Sequence, residues 1–265
     1  MAKHTARSAK RANRANPRED RNYSRPRNGQ RTTAYPPISE EFDTHSTNSV
    51  KKKVEILPRN VAQEEYVDVL FDPSKHIVFA MGPAGCGKTL LATLFAIKAL
   101  KAGEIDKIII TRPAVSVDEQ HGFLPGTLIE KMAPWVIPIM DVFKEHYSLP
   151  MIERMINDEQ IEIAPLAYMR GRTLKNAIIL FDEAQNATPN QMKMVLTRIG
   201  DNSRIIVTGD LRQHDRGFDD NGLKDFVHKL ELRGSEAISV CRFDAGDVER
   251  HAVIEDVLRI YGEDE

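Results

Sequence analysis

The segment from His76 to Leu100 constrains the fold of this chain more than any other. An apolar run at 76–81 precedes the glycine-rich string GPAGCGKT at 82–89, and a second apolar stretch follows at 90–100. This second stretch is predicted to be a helix, which Gly103 can end. A strand, a glycine loop and a helix in this order form one βα unit of an α/β protein. That context, and not the eight residues alone, indicates a phosphate-binding loop.

The residues of this loop are suited to holding a polyphosphate. Glycines allow the backbone to curl around phosphates and turn its N–H groups inward, and the N-terminus of the next helix attracts anions. Lys88 is expected to reach the β- and γ-phosphates, and the Thr89 hydroxyl to bind Mg²⁺. The predicted nucleotide-binding residues are Gly82, Pro83, Ala84, Gly85, Cys86, Gly87, Lys88, Thr89 and Leu90.

A second cluster of candidate residues follows other apolar strands. Asp182 and Glu183 end the run at 177–181. Asp182 is predicted to hold the Mg²⁺ that Thr89 also contacts, and Glu183 to polarise an attacking water. Gln213, after the run at 205–207, is predicted to sense the γ-phosphate or orient the water. A water-activating carboxylate favours hydrolysis of a nucleoside triphosphate over phosphorylation of a small molecule.

The first 50 residues differ in composition from the rest. They are rich in Arg, Asn, Ser, Thr and Pro and hold almost no large aliphatic side chains, so they cannot bury enough surface to fold alone. Within 1–31, ten Lys or Arg stand against Glu19 and Asp20, although the whole chain has a net charge of −2. We expect a flexible basic arm that either contacts nucleic-acid phosphates or is a solvated tail or leader.

Residues 51–265 are predicted to form a single α/β domain. Ile- and Val-rich runs lie at 77–81, 108–111, 161–164, 177–182, 204–208 and 237–241. Helical stretches separate them at 61–70, 88–102, 126–147, 151–157, 189–199 and 221–231. Nearly continuous apolar strands that alternate with helices predict a doubly wound, mostly parallel sheet. Ligands of such sheets bind beyond the carboxyl ends of the strands.

Composition also excludes several classes of protein. Cys86 and Cys241 are the two cysteines, which provide no disulfide framework, and the eight histidines lack zinc-ligand spacing. No apolar run approaches the length of a membrane span, and the N-terminus has no apolar stretch of a secretory signal. We therefore expect a cytoplasmic protein that does not associate with membranes.

Taken together, these elements resemble the PhoH family, the phosphate-starvation-inducible ATPase type of bacteria and bacteriophages. The resemblance covers about 52–262 and leaves out only the basic arm. Besides 82–89, the matching strings are TRPAV at 111–115, GFLPG at 122–126, APLAYMRGRTL at 164–174, DEAQN at 182–186, QMKM at 191–194, LTRIG at 196–200 and TGD at 208–210. It implies a P-loop NTPase fold that is RecA-like and similar to the first motor domain of superfamily 1 helicases, with ATP hydrolysis and a role in RNA metabolism.

The resemblance also implies roles for residues outside the loop. Gln63 falls at the adenine-reading glutamine, with a surface helix residue as its alternative. Thr111, Arg112 and the segment 168–173, which includes Arg170 and Arg172, fall where helicase-like domains touch a nucleic-acid strand. Arg170 and Arg172 are predicted to contact phosphates, and the alternative for each is a solvated or salt-bridged loop residue. The chain departs from the family at Cys86, where Thr is usual, and at 214–217, after Gln213.

The chain has room for one motor domain, whereas a superfamily 1 helicase closes two on one ATP. We therefore expect a homo-oligomer, a hexameric ring with ATP at its interfaces, in which an arginine of a neighbouring subunit completes each site. Arg250 is the first candidate for that catalytic arginine, followed by Arg216 and Arg242. The predicted activity is Mg²⁺-dependent ATP hydrolysis coupled to single-stranded RNA binding or remodelling. The alternative is an ATP-regulated assembly module that recruits a partner such as a nuclease.

Overall fold

The structure, a computed structural model, describes residues 53–113, 128–211, 221–249 and 252–261. Within these residues, six strands form one sheet. They are β1 (Ile77–Met81), β2 (Lys107–Thr111), β3 (Ile161–Ile163), β4 (Ala177–Phe181), β5 (Arg204–Gly209) and β6 (Ile238–Arg242). Their order is β3-β2-β4-β5-β1-β6, and every pair of neighbours is parallel. The parallel sheet predicted from the alternation of strands and helices is thus confirmed.

The helices differ from the predicted ones mainly at their ends. They are α1 (Val61–Phe71), α2 (Lys88–Ala102), α3 (Leu128–His146), α4 (Leu149–Asn157), α5 (Pro189–Leu196), α6 (Gly222–Arg233) and α7 (Ala252–Tyr261). Helix α4 begins two residues before the predicted start, because Pro150 fits its first turn. Helix α5 ends three residues early, where the Thr197 hydroxyl donates to the carbonyls of Lys193 and Met194. The predicted helical stretches did not include α7.

Helices cover both faces of the sheet, as the doubly wound prediction requires. Successive residues of a strand point to opposite faces, so Val78 and Ala80 of β1 pack on one side and Phe79 on the other. The first side is completed by buried residues of α1, α2 and α3, including Tyr66, Phe95 and Phe143. The second is completed by residues of α5 and α6, including Val195 and Leu223. All five residues of β1 and of β4 are buried, which explains why these runs are continuously apolar.

The sheet order brings the predicted functional segments to one place. Strands β4, β5 and β1 are consecutive neighbours, with Met81 opposite Gly209 and Phe181 opposite Val207. Because all three strands run in the same direction, the segments that follow them leave the same edge of the sheet. In the part of the chain that the structure describes, no helix is long and apolar enough to span a membrane.

Candidate functional site

The loop at 82–87 joins β1 to α2, and its glycines meet a conformational requirement. Gly82 has a φ of 153°, and a Cβ added to it would lie 2.5 Å from the carbonyl oxygen of Phe243. Gly87 is the N-cap of α2 in the left-handed conformation, with a φ of 78°. A glycine cap offers no side-chain acceptor to the first N–H groups of the helix, so these groups are suited to an anion.

Lys88, the first residue of α2, folds back onto the loop. Its Nζ donates to the carbonyl oxygens of Gly82, at 2.7 Å, and Pro83, at 2.6 Å. Burial lowers the pKa of Lys88, and neighbouring acidic groups oppose this shift. Phosphate oxygens are stronger acceptors for an ammonium group than carbonyl oxygens are, so a bound phosphate can replace these two contacts.

Asp182, directly after β4, links the start of α2 to the end of β5 through hydrogen bonds. Its Oδ1 accepts a hydrogen bond from the Thr89 hydroxyl at 2.9 Å and another from the Thr208 hydroxyl at the end of β5. The predicted metal-binding pair, Thr89 and Asp182, is therefore in direct contact. Hydroxyl and carboxylate oxygens are the ligands that Mg²⁺ takes in proteins, so this donor set fits the ion.

Glu183, the candidate general base, has an unusual backbone and two side-chain partners. Its φ of 51° and ψ of 40° lie in the left-handed region, which costs a residue with a Cβ about 1–2 kcal/mol. Gln185 donates from Nε2 to Glu183 Oε2 at 2.5 Å, and Arg112 Nη2 lies 3.7 Å from Oε1. Gln185 also accepts a hydrogen bond from the backbone N–H of Asp210 at 3.1 Å. The string DEAQN predicted Asp182 and Glu183, but it gave no role to Gln185.

The loop and the two carboxylates line a common cavity of about 330 Å³. Its lining consists of Ala84, Gly85, Gly87, Lys88, Thr89, Leu90, Asp182, Glu183, Thr208, Gly209 and Asp210. Six of the nine predicted loop residues are in this set, whereas Gly82, Pro83 and Cys86 are not. The Cys86 side chain is buried and its thiol donates to the carbonyl of Asp244 at 3.7 Å, so it packs away from the cavity.

Gln63 lies beside the loop but is only 4% exposed. Its Nε2 donates to the carbonyl oxygen of Cys86 at 3.2 Å, and its Oε1 accepts from the backbone N–H of Arg59 at 2.9 Å. The residue is thus a buried helix residue, unlike the surface residue that was the alternative to an adenine contact. In this conformation its amide supports the loop.

The segment that follows β6 also supports the loop. After β6, Phe243 donates its backbone N–H to Met81 at 2.7 Å, and Glu249 donates to Gly85 at 3.2 Å. Asn60, the N-cap of α1, donates from its side chain to the carbonyl of Asp247 at 3.1 Å. We call residues 243–249 the loop brace. No local pattern indicates it, because its position depends on β6 pairing with β1.

The residues predicted to touch nucleic acid are in different environments. Thr111 is fully buried, and its hydroxyl has no hydrogen-bond partner among the described residues. Arg112 is partly buried, between Glu183 and the carbonyl of Trp135. Arg170 is exposed, next to the 3-10 turn Leu166–Met169. Arg172 forms two hydrogen bonds with Glu162, so the salt-bridged alternative describes it in this conformation.

Of the residues predicted as the catalytic glutamine or the interface arginine, the structure describes Arg242 but not the other three. Gln213, Arg216 and Arg250 lie outside the described residues. Arg242 is described, at the end of β6, where its exposed guanidinium pairs with Glu231. Tyr168, which belongs to the 168–173 segment predicted to touch a nucleic-acid strand, is 60% exposed.

Comparison with known sequences gives one consistent family. A family model described as "PhoH-like protein" matches residues 55–262. A PhoH-like protein of Bacillus subtilis (strain 168) is 44% identical over 222 residues, which cover 83% of this chain and 68% of the relative. A PhoH-like protein of Synechocystis sp. is 43% identical, with 75% of this chain and 60% of the relative covered. For the protein PhoH of Escherichia coli (strain K12) the values are 43%, 78% and 58%.

Solved structures with a similar arrangement of strands and helices share less sequence identity with this chain. The Pyrococcus furiosus Hef helicase domain aligns with a TM-score of 0.41 and 15% identity, covering 73% of this chain and 41% of that one. Bacteroides Pif1 bound to ssDNA aligns with a TM-score of 0.32 and 14% identity, covering 75% and 45%.

Proposed function

This chain belongs to the PhoH-like family, and from that premise we propose that it binds ATP with Mg²⁺ and hydrolyses it. The observation that carries the proposal is the contact between Thr89 and Asp182 at the cavity beside the 82–87 loop. A hydroxyl and a carboxylate together are suited to Mg²⁺, and Glu183 supplies a second carboxylate that lines the same cavity. A cavity with both groups and a lysine matches the requirements of phosphoryl transfer to water.

In the proposed reaction, the loop N–H groups and Lys88 bind the phosphates of ATP. Thr89 and Asp182 hold Mg²⁺, which when bound neutralises charge on those phosphates. Glu183 orients a water molecule and accepts its proton. The water oxygen forms a bond to the γ-phosphorus while the bond from this phosphorus to the β,γ-bridging oxygen breaks, which releases ADP and phosphate.

We further propose single-stranded RNA as the second ligand. The exposed Arg170 can contact backbone phosphates, and the exposed ring of Tyr168 offers a face for base stacking. The basic arm at 1–50, ahead of a domain at 51–265, adds cations for phosphates. A ring of identical subunits completes each ATP site in this proposal, and Arg250 is the first candidate for the arginine that crosses the interface.

The test is ATP turnover by the full chain with Mg²⁺, with and without a uridine oligonucleotide, compared with Glu183→Gln. We expect the substitution to lower turnover by about 10²- to 10⁴-fold, the usual contribution of a general base. Binding of a fluorescent ATP analogue should persist, because the residues that hold the phosphates are unchanged. Chelation of Mg²⁺ should abolish turnover of the wild-type chain.

Two results would count against this proposal. Equal turnover by the wild-type chain and Glu183→Gln would remove Glu183 from the reaction. Slow turnover that the oligonucleotide does not stimulate would favour the assembly module, in which ATP controls oligomeric state and the docking of a partner such as a nuclease.

A further inference from the structure

The Glu183 carboxylate is held by two side chains that come from different parts of the fold. Gln185, two residues later, donates to Oε2 at 2.5 Å. Arg112, from the end of β2, approaches Oε1 at 3.7 Å. A general base must present its carboxylate to water, so each contact affects how Glu183 can act. Of the two, the contact with Arg112 is the one that another anion can replace.

Arg112 is fixed on one side and loosely paired on the other. Its Nη1 donates to the backbone carbonyl of Trp135 in α3 at 3.1 Å, which anchors the guanidinium. Its Nη2 is 3.7 Å from Glu183, longer than the 2.7–2.9 Å typical of a charge-assisted hydrogen bond. The Arg112 side chain is 21% exposed and that of Glu183 is 35% exposed. A phosphate that approaches from solvent can therefore compete for the same guanidinium, with better geometry.

The position of Arg112 on the sheet indicates which phosphate can reach it. Strand β3 is the parallel neighbour of β2, and Ala164 N–H donates to the carbonyl of Ile110 at 3.0 Å. The chain then enters the turn that carries Tyr168 and the exposed Arg170. The ring of Tyr168 and the guanidinium of Arg170 therefore follow β3, at the same edge of the sheet at which Arg112 follows β2. Aromatic stacking combined with phosphate contacts is how proteins bind single-stranded nucleic acid.

We propose that Arg112 is a positioning residue that pairs with Glu183 in the absence of nucleic acid and exchanges this carboxylate for a backbone phosphate when a strand binds. The exchange leaves Glu183 with its Gln185 hydrogen bond and makes its other oxygen available to water. This inference rests on the proposed function, because the proposed function assigns both RNA binding and ATP hydrolysis to this chain. It adds the link between them: one guanidinium serves either the catalytic carboxylate or the strand.

The coupling between strand binding and the release of Glu183 is reciprocal. It can therefore be measured as the affinity for the strand, without ATP turnover. When Glu183 no longer competes for Arg112, the strand should bind more tightly. We therefore expect Glu183→Gln, which keeps the shape of the side chain, to bind a uridine oligonucleotide up to about fivefold more tightly than the wild-type full chain, the range of a partly exposed ion pair. The measurement is fluorescence anisotropy at fixed salt, without nucleotide.

Matched variants separate this effect from a change in net charge. Asp158→Asn removes one negative charge from an exposed pair with Arg154 on α4 and should bind like the wild-type chain. In the Arg112→Gln background, Glu183→Gln should no longer tighten binding, because the shared guanidinium is absent. Trp135 is the single tryptophan of the chain, and its emission checks that each variant is folded.

Turnover provides a second measurement. Arg112→Gln should raise hydrolysis in the absence of the oligonucleotide and bring the stimulated-to-basal ratio towards one, while Arg154→Gln should keep the wild-type ratio. If Arg112→Gln does not fold, Arg112→Lys, which lacks the planar pair of donors, takes its place.

Equal oligonucleotide affinity of Glu183→Gln and wild type, or tightening equal to that of Asp158→Asn, would overturn the link but leave the proposed function standing. A wild-type chain that binds no oligonucleotide would overturn the RNA part of the proposed function and the link with it.

Discussion

Glu162 and Arg172 illustrate how a single pair changes the interpretation of a residue. Arg172 lies in a string that resembles a strand-binding segment, yet both of its terminal nitrogens donate to the Glu162 carboxylate in β3. The hydrogen bonds from Arg172 hold the pKa of Glu162 below its ordinary value of 4.5. In this conformation, Arg172 fastens the turn after β3 to the sheet, and Arg170 is the arginine of the two that faces solvent.

The lowered pKa of Glu162 predicts how stability depends on pH. A carboxyl group with a lower pKa in the folded protein stabilises the fold above its ordinary pKa, and this contribution is lost as the pH falls through the lowered value. Glu162→Gln should therefore lower the melting temperature at about pH 7, and its difference from the wild-type chain should shrink below about pH 4. Melting curves followed by circular dichroism check this.

The control is Glu231→Gln, which breaks the more exposed pair with Arg242 and should change the melting temperature less. A difference between Glu162→Gln and wild type that stays constant from neutral to acidic pH would show that the pair does not contribute in this way.

At the scale of elements, α5 and α6 meet beside the short 3-10 turn Ala184–Asn186, which follows Glu183. Helix α5 begins with a capping box in which Thr188 and Gln191 exchange hydrogen bonds. Gly222, the first residue of α6, donates its N–H to the carbonyl of Ala187 at 2.7 Å. A Cβ added to Gly222 would lie 2.5 Å from the carbonyl oxygen of Thr188. The two helices can approach this closely only because residue 222 has no side chain.

Gly222→Ala should lower the free energy of unfolding by about 2–3 kcal/mol, because the backbone of the preceding turn must move to accept the methyl group. The matched variant is Gly103→Asn, at the left-handed end of α2, where nothing lies within 4 Å of an added Cβ. Asn adopts this backbone readily, so we expect its cost to stay below about 1 kcal/mol. Urea unfolding followed by circular dichroism measures both, and similar values for the two variants would contradict the steric argument.

At the scale of the whole molecule, charge is distributed unevenly. Residues 1–31 carry a net charge of +8 in a chain whose total is −2. The remainder is therefore acidic, so contact with nucleic acid must be local in the proposed function. In the proposed function, the arm and the exposed Arg170 supply cations for this local contact.

Removal of residues 1–50 should weaken binding of the uridine oligonucleotide and reduce its dependence on salt. Each phosphate contact that is lost lowers the slope of log affinity against log salt by about 0.7 for a single strand. Affinities measured over a series of salt concentrations give this slope for the full chain and the truncated one. An unchanged slope would identify the arm as a solvated tail.

The elements and the main residues of the cavity were predictable because their signals are local. A glycine loop between a strand and a helix, or two carboxylates after an apolar run, can be read within about ten residues. The burial of Thr111, the pairing of Arg172 with Glu162 and the loop brace were not predictable in this way. Each depends on which strands become neighbours, and the chain places β3 beside β2 and β6 beside β1 through contacts between distant segments. The end of α5 was missed because the polar–apolar pattern continues past Thr197, whereas the Arg198 carbonyl accepts a hydrogen bond from the N–H of Leu174 in a distant segment.

The loop brace has a consequence for the order in which this protein can be made. The residues of the glycine loop leave the ribosome long before β5 and β6, the two strands that flank β1. A nascent chain that ends before Phe243 contains the whole glycine loop but none of the backbone that Phe243 and Glu249 supply to it. The loop thus acquires its supported shape only after β6 and the loop brace have been made, and we expect a growing chain to gain nucleotide affinity only at that point.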